Sequence, residues 1–184
     1  MKQTDWIETY TGKHFYPIEP DIELIDIIDI AHALSMICRF NGHSDRFYSV
    51  AQHSVIVSNL ATPKNKLIGL LHDASEAYLT DVPRPLKPFL PDYYVWEDVL
   101  TDMIFTKFGI PDTDPENRIP NEIHIIDNDI VLTEGSALGF DISKWELTSQ
   151  IGIQPLDVEI QPESSEMSEI KFLEAFYNLT FNIK

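Results

Sequence analysis

Residues 70–81 read LLHDASEAYLTD, which sets His72 and Asp73 side by side inside an apolar run, with Glu76 and Asp81 close behind. His53, on a stripe with Val50, Val57 and Leu60, and Asp127, between Ile123 and Ile130, interrupt apolar patterns in the same way. An unpaired carboxylate taken into a core costs several kcal/mol, comparable with the stability of a whole small domain. No lysine or arginine stands three or four residues from Asp73 or Asp127, so the compensation has to come from elsewhere in the fold. Two imidazoles and two carboxylates are a natural donor set for one divalent ion, and mixed nitrogen and oxygen donors suit manganese, cobalt, iron or zinc better than calcium. Neighbours on a helix diverge by about 100°, so His72 and Asp73 reach one ion only where helices converge. Taken singly, a histidine on an apolar face is more often a satisfied core residue. Four such interruptions together favour ligation.

The elements that must position these groups are helical. IDIIDIAHALSMICRF (residues 25–40) is apolar all round, as in a helix buried on most of its surface, with a stop at Gly42. SVAQHSVIVSNLA starts at Ser49, a plausible N-cap, and carries His53. NKLIGLLHDASEAYL has Leu67, Leu70, Leu71, Ala74 and Tyr78 at three- and four-residue spacing, which predicts one amphipathic helix holding the His72–Asp73 pair. The prolines of DVPRPLKPFLP end it in a rigid loop. Further helices are expected over DYYVWEDVLTDMIFTKFG, over NEIHIIDNDIVLTEGSALG after Pro120, and over about residues 165–181. Residues 139–162 read as loop with a short strand, and TYTGKHFYPIEP as a short hairpin or extended arm around a TGK turn. The expected fold is all-α: a single helical bundle spanning residues 1–184, with its core at about 24–138 and a short N-terminal arm.

Composition bounds the function. A chain of 184 residues, 43% hydrophobic, suffices for one domain with a sizeable core. Its net charge of −17, from 30 acidic and 13 basic side chains, argues against duplex nucleic acid and anionic membrane as partners. An anionic small molecule could still be held by a local cluster such as Arg39, Arg46, Arg84 and Lys87. The single cysteine, Cys38, supplies neither a disulfide framework nor a thiolate cluster and reads as a buried structural thiol. The opening MKQTDWIETY has no apolar segment of signal-peptide type, and a cytoplasmic location, bacterial or in a phage-infected host, is expected.

The ordered pattern of His53, then His72–Asp73, then Asp127 on successive helices resembles the HD-domain metal-dependent phosphohydrolases. The stretches CRF, RFYSVAQHS, LLHDASEAYLTDVPRPLK and IIDNDIVLTE are similar to small bacterial and phage members related to 5'-deoxynucleotidases and dATP triphosphohydrolases, over about residues 8–138. The resemblance implies metal ligation by His53, His72, Asp73 and Asp127, and a proton-handling role for Glu76 in the HDxxE position. It implies for Asp81 a second acidic role toward water or the sugar. Arg39 and Phe40 match an arginine–aromatic pair that binds phosphate and lies against the sugar. Lys87 matches a basic residue that reaches the phosphate chain, and His124 a further position where relatives place a basic group.

Such enzymes take one transition-metal ion, with a second magnesium carried by the substrate as an additional cofactor, and often form homo-oligomers. Binuclear phosphodiesterases of the same scaffold need more histidines between the pair and the last aspartate than His124 alone, and alarmone hydrolases show HDxxED where this chain has Ala77. A deoxynucleotide phosphohydrolase is therefore expected, acting on a dNTP, especially dATP, or on a dNMP. His14, His32 and His43 read as structural. The competing expectation is a non-catalytic nucleotide-binding or oligomeric HD module.

Overall fold

A computed structural model describes residues 5–111, 118–149 and 153–181. The chain is mostly helical, with one small two-stranded sheet, as an all-α bundle requires. Strands β1 (Ile7–Glu8) and β2 (His14–Phe15) pair antiparallel in the register Ile7 to Phe15, closing the expected hairpin around Gly12. Phe15 is fully buried and stacks on Tyr78 at 3.9 Å, which ties the arm to the bundle.

Helix α1 (Ile27–Met36) begins at Asp26, whose side chain accepts from the Ile28 N–H. It stops short of the Gly42 that the apolar pattern favoured. The reason is a backbone pairing: Arg39 N donates to Tyr48 O and Val50 N to Ile37 O, so Ile37–Cys38 leaves the helix to run against the entry to the next one. A 3-10 turn, Arg39–Gly42, follows, with Phe40 and Asn41 at φ 54° and 53°. Left-handed backbone at a non-glycine residue costs roughly 1–2 kcal/mol, so packing must hold this corner in place. Cys38 lies in it, half-buried and free.

Helix α2 (Val50–Leu60) starts where Ser49 Oγ accepts from Gln52 N, as the N-cap reading anticipated. The next helix departs from expectation. In place of one helix over 65–79 there are α3 (Lys66–Leu71), a tight turn at residues 72–75, and α4 (Glu76–Leu79). Through the turn the amides bond three residues back, Ala74 N to Leu71 O and Glu76 N to Asp73 O, the tighter 3-10 pattern. Periodicity of apolar residues does not distinguish this local tightening from a continuous helix, because His72 and Ser75 keep helical dihedrals.

The proline loop holds a 3-10 turn at Lys87–Phe89 and leads into α5 (Pro91–Lys107). Gly109 follows α5 at φ 72°, a conformation that suits glycine past a helix end. Helix α6 (Asn121–Ala137) starts after Pro120, and α7 (Ser165–Phe181) closes the bundle. The described part of 139–162 contains two 3-10 turns, Ile142–Lys144 and Glu146–Ser149, and no strand; residues 150–152 lie outside the described residues.

α2 packs on α3, α6, α7 and α1, and α1 also packs on α7. The core between them is sealed by Ile30, Leu34, Leu70, Leu71, Ile123, Ile130 and Phe172, all buried. At Gly69 a Cβ would stand 3.2 Å from Ser58 Cα, so the absence of a side chain lets α3 approach α2 closely. Among the described residues no helix is long and apolar enough to cross a membrane.

Candidate metal centre

Three elements deliver the polar groups to one point. α2 contributes His53, the α3–α4 turn contributes His72 and Asp73, and α6 contributes Asp127. His53 is fully buried and His72 nearly so, while Asp127 is half-buried. Ligand atoms of His53, His72 and Asp127 all lie within 4.8 Å of one another, a group that could hold a metal ion. His53 Nε2 is 3.3 Å from His72 Nε2, 3.2 Å from Asp127 Oδ1 and 3.5 Å from Asp73 Oδ2; His72 Nε2 is 3.1 Å from the same Asp73 oxygen. Ion–donor bonds of about 2.0–2.2 Å place neighbouring donors roughly 2.8–3.6 Å apart, so these separations fit a shared ion.

The hydrogen bonds of the far ring nitrogens carry the fit further. His72 Nδ1 lies 2.8 Å from Gly69 O, which can only accept, so His72 carries its proton there. His53 Nδ1 lies 2.7 Å from Glu134 Oε1 and donates to that carboxylate. Both Nε2 atoms of the neutral rings are then lone pairs facing each other and two carboxylate oxygens. Four acceptors with no donor between them repel unless a cation, or extra protons, sits among them.

Without an ion, a proton on His53 is the favoured relief of that repulsion. Burial and the Arg39 charge oppose protonation of His53, but Glu134 and Asp127 outweigh them and push its pKa up to about 9. Against the burial that would raise them, the imidazoles and Arg39 hold Asp73 well below the carboxylate range, and His53 draws Asp127 down to about 2.

Glu76 has the opposite character. It is 4% exposed, burial and the charges of Asp73 and Asp81 push its carboxyl well above the usual range, and its Oε2 has no hydrogen-bond partner. In the 3-10 turn, side chains three apart eclipse, which lines Glu76 up with Asp73 rather than simply one α-helical turn beyond His72. Asp81 is half-buried, and burial raises its pKa as well.

The cationic neighbours divide. Arg39 is held by Glu134 Oε2 at 3.1 Å, its Nη1 stands 3.8 Å from Asp73, and its Nε is buried without a partner. Its guanidinium lies 5.7 Å from the Phe40 ring, which packs against Phe140 and Trp145. Lys87 is paired with Glu97 at 2.9 Å, and Arg84, half exposed, reaches to 3.9 Å from Asp127. Arg46 donates instead to Ala137 O at the end of α6. His124 is exposed on α6, one turn before Asp127. Away from the centre, His14 stacks on Trp6, and His32 stacks on Tyr10 and pairs with Glu169.

Sequence reasoning missed Glu134 and Tyr48. Glu134 is fully buried and takes bonds from His53, Arg39 and, at 2.8 Å, Tyr48 Oη. Its signal was present: it lies seven residues, two helical turns, beyond Asp127 and therefore on the same face of α6. Tyr48 offered none, because it precedes its helix.

Over 136 residues the sequence is 43% identical to the uncharacterized protein YfdR of Escherichia coli strain K12, covering 74% of each chain. The chain belongs to the YfdR family. An uncharacterized protein of Rhodobacter capsulatus is 37% identical over 116 residues, 58% of this chain and 59% of that one. No family model matches.

Proposed function

We propose that this YfdR relative is a mononuclear, metal-dependent phosphohydrolase of the HD type acting on deoxynucleotides. The observation that carries the reading is the convergence of four acceptors, His53, His72, Asp73 and Asp127, beside a buried Glu76 carboxyl whose pKa is raised. His53, His72, Asp73 and Asp127 would hold manganese, cobalt, zinc or iron. A divalent ion bound there supplies Lewis-acid chemistry toward a phosphoryl group and acidifies water.

The chain's own residues do the rest. Glu76, with one oxygen unengaged, holds or passes the proton that hydrolysis moves, and a raised pKa suits that role near neutrality. Arg39 brings a fixed guanidinium to the edge of the centre, where its planar fork suits a phosphate. Phe40, on the strained corner beside it, is assigned the role of lying against the sugar. Asp81, half-buried, Lys87, paired with Glu97, and His124, exposed one turn before Asp127, are assigned to outer parts of the substrate. Because the chain carries −17, a triphosphate approaches more readily as its magnesium complex, which gives the second metal a role on the substrate.

A panel of dNMPs, dNTPs and ribonucleotides, offered after chelation and resupply of manganese, cobalt, zinc or magnesium, tests the reading. Triphosphate released from a dNTP, with dATP favoured, makes it a dNTP triphosphohydrolase, and phosphate from dNMPs a 5'-deoxynucleotidase. Nucleotide binding without release under any metal makes it a non-catalytic module.

A further inference from the structure

Glu134 hydrogen-bonds both halves of the site at once. Oε1 accepts from His53 Nδ1 at 2.7 Å and from Tyr48 Oη at 2.8 Å, while Oε2 accepts from Arg39 Nη2 at 3.1 Å. The residue is fully inaccessible to solvent, so its oxygens depend on these protein partners. Its neighbours come from three places in the chain: α2, the corner at Arg39–Gly42, and the segment just before α2. We propose that Glu134 is a positioning residue that fixes His53 in the tautomer with Nε2 free for metal and, with its other oxygen, holds Arg39 at the edge of the same centre.

The inference rests on the proposed function for the roles of His53 and Arg39 and adds that one buried side chain couples them. Two features make the coupling hard to escape. A carboxylate only accepts, so the imidazole is obliged to donate through Nδ1. Arg39 is otherwise lightly held: its Nη1 is 3.8 Å from Asp73, too long for a hydrogen bond, and its Nε has no partner.

An amide of the same shape cannot reproduce this. Turned one way, Glu134→Gln keeps an oxygen toward His53 and Tyr48 and aims its NH2 at the guanidinium, donor against donor. Turned the other way, it keeps Arg39 and presents NH2 to His53 Nδ1, which moves the imidazole proton to Nε2 and removes the metal donor. Two donors on Oε1 against one on Oε2 favour the first orientation.

The test measures Mn2+ affinity of the chelated, folded protein by calorimetry, and kcat and KM on the nucleotide identified by the product panel, for wild type, Glu134→Gln and Glu134→Ala. The expected result for Glu134→Gln is a KM raised about tenfold or more with a smaller loss of Mn2+ affinity. Glu134→Ala is expected to worsen both, with Mn2+ weakened about 10- to 100-fold, the range typical of losing a carboxylate behind a ligand histidine. Glu134→Gln indistinguishable from wild type in both readouts overturns the inference and leaves the proposed function standing. A wild-type chain that binds none of Mn2+, Co2+, Zn2+ or Fe2+ overturns both. If the variants do not fold, nitrogen NMR of the Zn2+-loaded wild type reads the tautomer directly. A proton on His53 Nδ1 supports the inference, and one on Nε2 overturns it.

Discussion

On the α2–α6 side of the centre both oxygens of Glu134 accept hydrogen bonds and His53 is fixed by a buried partner, whereas on the α3–α4 side Glu76 Oε2 has none and Asp81 is half open to solvent. The backbone differs in the same sense. α2 and α6 are regular helices, whereas His72 and Asp73 lie in a 3-10 turn between two short ones, the second of which opens at Glu76. A wall whose buried carboxylate, Glu134, has both oxygens engaged can hold a ligand in place but has little capacity there to exchange protons. A wall with a raised, unpartnered carboxyl retains that capacity. Under the proposed function the division of labour is support on one side and chemistry on the other.

The sharpest break in this comparison comes from removing a donor. Asp73→Ala is expected to lose bound metal and turnover together, by more than the roughly 10- to 100-fold caused by loss of a supporting partner, as read by metal affinity and product release. Retention of both would dissolve the centre.

Glu76→Ala separates support from chemistry. Metal and nucleotide binding should persist within a few-fold while turnover falls by about 10²–10⁴, the range of a general acid or base. Loss of metal in this variant would instead make Glu76 a ligand.

Protons give the third contrast. His53 binds its proton more tightly in the folded metal-free protein, at about 9, than in the unfolded chain, at about 6.5. That stabilisation is complete below pH 6.5 and disappears as pH rises through 9, at most about 3 kcal/mol. Denaturant unfolding of the chelated protein should show this decline. The metal-loaded protein should not, since the ion displaces the proton. The depressed Glu134 and Asp73 act in the other direction, stabilising above the usual carboxylate range and less as pH falls below it.

The smallest expected effect is at the contact between the walls. Gly69→Ala places a methyl 3.2 Å from Ser58 Cα and Ile123 Cδ1, and should destabilise by about 1–3 kcal/mol and loosen His72, whose Nδ1 partner is Gly69 O.

How much of this was legible beforehand follows the same divide. His53, His72 and Asp127 stood out because each breaks an apolar period, and periodicity survives in regular helices such as α2 and α6. The α3–α4 break was invisible, because a 3-10 turn keeps helical dihedrals and nearly the same apolar spacing. The corner at Phe40 was equally hidden, since the pairing of Arg39 with Tyr48 that ends α1 is a tertiary event overriding a strongly apolar helical pattern. Glu134 could be read only after Asp127 had been assigned, because its meaning comes from sharing that face.

One ion held by four donors is the core of the proposed site, and metal content tests it most directly. Elemental analysis after saturation with Mn2+ or Co2+ and exhaustive dialysis should find about one ion per chain in the wild type and none in Asp73→Ala or Asp127→Ala. A wild-type chain that retains no ion, or variants that retain as much as the wild type, would contradict it.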